Sequence, residues 1–278
     1  MMLPLLLLAA QATAPAPARL PARTRAPAPV ATPAPAASPA EARFNHCIDL
    51  ATGDPAAAER EAGSWQLQGG GYLARQCLGI AYATEMRWTA AAVEFEAAAN
   101  AAEIAKDARA SNYWAQAGNA RLAGGEPAKA ISALNAALAP GALAGLDRGE
   151  AELDRARAAV ALGDMTSARR DIDHALVDAI DDPLAWLLSA TLARRMHDLP
   201  RAQHDIAETL RRAGDDASAQ LEAGNIAALS GDETRAKAAW TRAAQLRPDS
   251  DAGRAAMAAL KQFDAPAPAP TPTPAPAH

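Results

Sequence analysis

Two series of residues share one spacing along this chain, and that spacing constrains the fold more than any other feature. The first series consists of small residues inside apolar segments, at Gly79, Gly118, Ala156, Ala190 and Gly224, which are separated by 39, 38, 34 and 34 positions. The second series consists of alanines with the same separations, each followed by a large apolar residue four positions later: Ala91 with Phe95, Ala130 with Leu134, Ala168 with Ile172, Ala202 with Ile206, and Ala236 with Trp240. A period of about 34 residues predicts stacked repeats rather than one closed core.

Short turn signals stand between the two series. They are Gly124-Gly125-Glu126-Pro127, Gly163-Asp164, His197-Asp198-Leu199-Pro200 and Gly231-Asp232. Glycine ends a helix by taking a left-handed conformation, and Asp or Pro begins the next one. Hydrophobic residues make up 50% of the chain but aromatic residues only 4%, because alanine, the strongest helix former, supplies most of the apolar content. Each unit is therefore predicted to be two antiparallel helices.

The best-formed unit runs Cys77-Leu78-Gly79-Ile80-Ala81-Tyr82 and continues with Ala91 and Phe95. It resembles a tetratricopeptide (TPR) repeat that lacks only the leading Trp. Trp114 to Gly118 with Ala130 and Leu134 is a second good match, and the stretch from 220 to 248 is another. The unit at 149–182 matches least, because Glu152 and Arg155 stand where Trp and Leu are usual. The resemblance implies an all-α, TPR-like α-solenoid with about five helix-turn-helix repeats, an N-terminal helix pair and a C-terminal capping helix.

The same pattern gives boundaries for the repeat domain, which is predicted at 41–263. Its predicted segments are a leading pair at 41–71, repeats at 72–105, 111–144, 149–182, 183–216 and 217–250, and a cap helix at 251–263. The two wider spacings predict longer connections after the first two repeats, within 103–110 and 140–148.

The chain ends differ in composition from this domain. Residues 1–12 hold an apolar core and the small-x-small pattern Ala10-Gln11-Ala12, which indicates a signal peptide cut before Thr13, although no Lys or Arg precedes the core. The alternative is a mis-assigned start upstream of a disordered tail. Residues 13–40 and 264–278 are Pro-rich and are predicted to be a disordered linker and tail. These features predict a periplasmic or secreted protein with no stable membrane insertion after cleavage, or a cytoplasmic one if the segment is not a signal.

Residues on one face of the first helices are the candidate binding residues. In TPR proteins the first helices line a concave groove that takes a peptide or a partner helix, so the resemblance implies a protein or peptide partner. The putative groove residues are Gln76, Asn112, Asn119, Arg157, Arg194, Arg195 and Asn225. Asn offers both a donor and an acceptor to a peptide backbone, and Arg offers a bidentate fork. The alternative is that they are ordinary solvated residues. A net charge of -5 with mixed signs argues against nucleic acid.

Two cysteines, Cys47 and Cys77, are the only ones in the chain. Each falls on the first helix of its unit, and first helices of adjacent TPR units lie side by side. In an exported protein we expect them to form a disulfide. The alternatives are buried reduced thiols in a cytosolic chain, or a redox site, which the absence of a Cys-x-x-Cys motif disfavours.

No catalytic, cofactor-binding or metal-binding residue is predicted, because the sequence contains no phosphate-binding loop, no nucleophile elbow and no ligand spacing typical of a metal site. The expected function is thus a non-enzymatic interaction scaffold or adaptor of the cell envelope. One alternative is an enzyme or metal-binding α-solenoid with a site assembled across repeats, which would need His174, Asp171 and His204 in one pocket. Another is a spacer that acts through its Pro-rich tails.

Overall fold

The computed structural model describes residues 38–139 and 141–263, and every regular element in these ranges is a helix. The helices are α1 (Pro39–Gly53), α2 (Pro55–Leu67), α3 (Gly71–Thr84), α4 (Trp88–Ile104), α5 (Ala110–Ala123), α6 (Pro127–Ala137), α7 (Gly145–Ala161), α8 (Met165–Asp178), α9 (Pro183–Arg195), α10 (Leu199–Arg212), α11 (Ala217–Leu229), α12 (Glu233–Leu246) and α13 (Asp251–Phe263). The predicted signal peptide (1–12), most of the linker (13–37) and the tail (264–278) lie outside the described residues.

The helices pack as consecutive pairs, and their main contacts join helices that are one or two elements apart in the sequence. α1 and α2 form the leading pair, the next ten helices form five repeats from α3–α4 to α11–α12, and α13 packs against α11 and α12. This arrangement confirms the all-α, TPR-like solenoid expected from the spacing. Contacts within a repeat and between adjacent repeats are typical of repeat proteins.

Two helices begin earlier than the sequence pattern suggested. α1 begins at Pro39, inside the segment assigned to the linker, because Ser38 and Glu41 form a reciprocal capping box: the Ser38 hydroxyl accepts from the Glu41 amide at 3.2 Å, and the Glu41 carboxylate accepts from the Ser38 amide at 2.9 Å. α7 begins at Gly145, four residues before the predicted start at 149. Leu143 is buried in the same apolar cluster as Leu134 and fixes the chain just before that helix.

The turn inside each repeat has the same backbone geometry in all five repeats. The residue seven positions after the small residue of the first helix has a positive φ in every case: Met86 (58°), Gly125 (74°), Gly163 (83°), His197 (60°) and Gly231 (78°). The helix that follows is often capped by aspartate, as when Asp164 accepts from the Ser167 amide at 2.9 Å. The repeat period is thus fixed by a recurring turn as well as by packing.

The small and large residues of the two series meet in the core. An added Cβ would lie 2.6 Å from the Phe95 ring at Gly79, 2.4 Å from Leu134 at Gly118, and 2.4 Å from the Trp240 ring at Gly224. The three large side chains are buried. Glycine is therefore required at these positions by the close approach of the second helix.

Gly79 and Gly118 are 39 positions apart rather than 34, and the extra residues lengthen α4 and its connection to α5. In that connection, the Tyr72 hydroxyl donates to the Asp107 carboxylate at 2.7 Å, and Arg109 donates to both oxygens of the same carboxylate at 2.9 and 2.7 Å. These bonds hold the pKa of Asp107 well below its usual range. The connection is therefore held against α3 by an ionised carboxylate.

A disulfide joins α1 to α3. Cys47 and Cys77 are bonded, with their Cα atoms 6.0 Å apart, and both side chains are fully buried. The bond links the leading pair to the first regular repeat. In the described part of the chain, no helix combines the length and the apolar character needed to cross a bilayer.

Candidate functional site

Polar side chains form continuous stripes on the first helices α5 and α7. Along α5 the stripe is Asn112, Gln116 and Asn119, and along α7 it is Asp147, Glu150, Asp154 and Arg157. Steps of three and four residues keep a stripe on one side of a helix. We call the surface formed by these stripes, together with the adjoining residues of α3, α9 and α11, the first-helix face.

A pocket with a cavity volume of about 310 Å³ lies between α5 and α7 on this face. We call it the acidic pocket; it is lined by Asn112, Ala115, Gln116, Asn119, Leu143, Asp147, Glu150, Ala151 and Asp154. Asn119 donates to the Asp154 carboxylate at 2.8 Å across the pocket. Partial burial raises the pKa of Glu150, and the nearby carboxylates of Asp147, Asp182 and Asp154 raise it further. The lining therefore carries an excess of negative charge.

A second, smaller pocket of about 130 Å³ lies between α7 and α9. We call it the apolar pocket; it is lined by Ala156, Arg157, Val160, Ile172, Leu188, Thr191, Leu192 and Arg195. Arg157 donates to Asp154 at 2.9 Å, so this ion pair stands between the two pockets. Arg195 makes no ion pair or hydrogen bond with any residue in 38–139 or 141–263.

The remaining predicted groove residues are engaged inside the fold. Gln76 donates to Gln116 at 3.3 Å, which extends the α5 stripe to α3. Arg194 donates to the Glu222 carboxylate at 2.6 Å, and Asn225 donates to the same group at 3.3 Å. The Asn225 side chain also accepts from the Trp240 indole at 3.1 Å. Arg194 and Asn225 therefore stabilise the packing of α9, α11 and α12 and are less free to bind a partner than Asn112 or Arg195.

The structure thus brings Asn112 and Asn119 into one pocket and Arg157 and Arg195 into another. The carboxylates Asp147, Glu150 and Asp154, which dominate the acidic pocket, were not predicted from the sequence. The signal was present, because these residues lie 10, 7 and 3 positions before Arg157 and so share its helix face. On α7 the TPR resemblance indicated only Arg157, the position directly after the small residue Ala156.

A larger cavity of about 640 Å³ lies elsewhere, between α10, α11 and α12. Its walls include Ile206, Leu210 and Ile226 together with several alanines. One repeat earlier, Arg201 of α10 pairs with Asp173 of α8 and with Asp205 of its own helix. The residues 34 positions later are Arg235, Ala207 and Ala239, which line the cavity, so alanines stand there in place of the two carboxylates.

The three residues that an enzymatic or metal site would need in one pocket lie in separate contacts. His174 lies 4.0 Å from the Glu152 carboxylate, Asp171 accepts two bonds of 2.8 Å from Arg155, and the His204 ring lies 2.9 Å from Asp205. The side chains of His174 and His204 are 60% and 66% exposed, so neither lies in a closed site. Within 38–139 and 141–263, no group of three or more His, Cys, Asp or Glu residues could hold a metal ion.

Glu152 is a buried carboxylate at the position occupied by Trp114 and Trp186 in neighbouring repeats. It is 7% exposed, and one of its oxygens has no hydrogen-bond partner. Burial raises its pKa above the ordinary value of a glutamate, although His174 and Arg148 act in the opposite direction. The ionised form therefore destabilises the folded state.

Replacing Glu152 with Met is expected to raise the free energy of unfolding by about 1 kcal/mol at pH 7.5, the usual cost of one buried unsatisfied polar atom. Because the folded-state pKa is raised, the penalty is absent below the unfolded-state pKa and grows as the pH rises through the folded-state value. Urea unfolding at pH 4 and pH 7.5 measures the difference, with the exposed Glu233→Met as the control. A gain that is equal at both pH values would contradict this explanation.

Comparison with known proteins shows which fold this is. PilF of Pseudomonas aeruginosa is 16% identical, with a TM-score of 0.63 over 79% of this chain and 99% of that chain. PilW, a widely conserved type IV pilus biogenesis factor, is 17% identical, with a TM-score of 0.65 over 78% and 98%. YrrB, a TPR protein with an unusual peptide-binding site, is 17% identical, with a TM-score of 0.52 over 72% and 96%. No family model matches the sequence, and no curated protein matches it. The chain has the TPR fold.

Proposed function

We propose that this TPR-fold protein is a non-enzymatic interaction scaffold or adaptor of the cell envelope, and that it binds a peptide or a partner protein on its first-helix face. The observation that carries the proposal is the pair of adjacent pockets on α5, α7 and α9. Each is built from side chains of more than one helix, so the binding surface depends on the stacked repeats.

The chemistry of this face favours recognition of a polypeptide. Asn112 and Gln116 can each donate to and accept from a peptide backbone, and the neighbouring apolar pocket can take a side chain. Backbone contacts give affinity and side-chain pockets give specificity. YrrB, a protein of the same fold, has a peptide-binding site.

The cell-envelope location is part of the proposal and is supported by two features. The apolar segment 1–12 ends in a pattern that a signal peptidase recognises. The buried disulfide between Cys47 and Cys77 belongs to an oxidising compartment, since cytosolic proteins keep their thiols reduced. The mature chain then begins at Thr13.

Site-specific photo-crosslinking in cells tests whether the first-helix face binds a partner. A photoreactive residue in place of Gln116, inside the acidic pocket, is expected to give discrete adducts with a protein partner. The same residue in place of Arg170, exposed on α8, serves as the matched position outside the face. The pocket variant Asn112→Ala/Asn119→Ala is expected to reduce the Gln116 adducts about tenfold, because it removes amides that face the pocket.

A control variant, Asn100→Ala/Arg170→Ala, changes exposed residues of the second helices and is expected to leave the yield unchanged. Equal adduct yields from both variants, or the same adducts from both crosslinking positions, would refute binding on the first-helix face. Circular dichroism of each variant verifies that the fold is intact.

A further inference from the structure

The two pockets differ in charge and polarity, and this difference specifies the partner. We infer that the bound segment is extended and carries a basic side chain in the acidic pocket, with an aliphatic side chain about four residues away in the apolar pocket. The inference rests on the proposed function and adds the chemistry of the partner.

Negative charge is left uncompensated in the acidic pocket. Asp154 is engaged by Asn119 and Arg157, but Asp147 and Glu150 make no ion pair with the residues in 38–139 or 141–263. Arg148, the cation nearest to them in the sequence, pairs instead with Asp178 on α8 at 2.5 Å. Two carboxylates thus face the pocket without a cation, and a lysine or arginine of the partner would supply one.

The apolar pocket suits a different kind of side chain. Its floor and walls are Ile172, Val160, Leu188 and Leu192, which suit a branched aliphatic side chain. Arg157 and Arg195 flank this pocket, and their charge disfavours a second basic side chain there. The face therefore distinguishes the two ends of the segment.

The distance between the two pockets, which share α7, sets the spacing of the two side chains. The lining residues of α7 are centred near residue 150 in one pocket and near residue 158 in the other, so the centres are roughly 11 Å apart along the axis at the usual rise of a helix. The acidic pocket lies between α7 and α5 and the apolar pocket between α7 and α9, so this sideways offset adds roughly 9 Å, the usual distance between packed helices. The separation of about 14 Å corresponds to about four residues of extended chain.

Short synthetic peptides test this inference directly. Fluorescein-labelled decapeptides of Ser and Ala would carry two adjacent lysines and, four residues away, one leucine, in both chain directions. Three further probes replace the lysines with glutamates, replace the leucine with serine, or shorten the spacing to one residue. Fluorescence anisotropy with the full-length protein is expected to show the tightest binding for the probe with two lysines and a leucine four residues away. The affinity of this probe is expected to fall as salt is added.

Variants of the protein assign each half of the probe to its pocket. Asp147→Asn/Glu150→Gln is expected to weaken the lysine–leucine probe about tenfold and to reduce its salt dependence. Asp215→Asn/Glu233→Gln removes the same number of charges elsewhere and is expected to leave the affinity unchanged. Thr191→Phe, which fills the apolar pocket, is expected to abolish the advantage of leucine over serine.

Equal binding of the glutamate and lysine probes, or unchanged binding in Asp147→Asn/Glu150→Gln, would overturn the inference. If no probe binds while the Gln116 crosslinks to a cellular partner persist, the partner chemistry is wrong and the proposed function stands. If the Gln116 crosslinks are also absent, both the partner chemistry and the proposed function are wrong.

Discussion

Reduction of the Cys47–Cys77 disulfide is expected to lower the free energy of unfolding by about 3 to 4 kcal/mol, because the bond closes a loop across 30 positions of sequence. Both sulfur atoms are fully buried. The loss should fall mainly on α1 and α2, since each unit of a repeat array is stabilised by its neighbours. Reduced protein is therefore expected to exchange the amides of α1 and α2 before those of α5 to α12.

Urea unfolding and hydrogen exchange of oxidised and reduced protein measure this effect, and Cys47→Ala/Cys77→Ala controls for the reductant. A peptide map of unreduced protein from the cell envelope should show the linked peptides and a first residue at Thr13. Identical unfolding curves for oxidised and reduced protein would show that the bond does not stabilise the fold. Free thiols in envelope protein would remove the support that the disulfide gives to an oxidising compartment.

Substitution of Gly224 by alanine is expected to cost about 2 kcal/mol. An added Cβ would lie 2.4 Å from two atoms of the Trp240 ring. The buried ring must move, and its hydrogen bond to Asn225 is then lost. Overpacking of this kind outweighs the intrinsic preference of a helix for alanine over glycine.

The matched control is Gly63 in the middle of α2, where an added Cβ would meet no atom within 4 Å. Gly63→Ala is expected to stabilise the protein by about 0.5 to 1 kcal/mol through helix propensity alone. Thermal and urea unfolding of the two variants are expected to show changes of opposite sign in the free energy of unfolding. A stabilising effect of alanine at both positions would contradict the close-packing role of Gly224.

The fold was predictable because the determinants of a repeat are local. Gly79 and Phe95, or Gly118 and Leu134, lie only 16 positions apart, so their meeting could be read from the spacing. The helix starts were harder to predict. α7 begins early because Leu143, just before it, is buried in the same cluster as Leu134, and the repeat pattern does not specify the path of the connection between them.

The binding surface was only partly predictable. Asn112, Asn119, Arg157 and Arg195 were identified from their place in the repeat, and they do line pockets. Asn225 directly follows the small residue of its repeat, as Asn119 and Arg157 do, yet it accepts from Trp240, because that repeat alone has an indole where the others have Phe, Leu or Ile. Which polar residues stay available to a partner therefore depends on the side chain opposite each one.

The turn shared by all five repeats gives the molecule a modular length. Since the left-handed residue recurs at one register position from Met86 to Gly231, the chain passes from the first to the second helix of each repeat with a positive φ at the same place. Removal or duplication of one whole repeat would leave every other turn and every small-to-large contact within a repeat unaltered. The length of the first-helix face can therefore be changed by one whole repeat at a time, without altering the packing inside the remaining repeats.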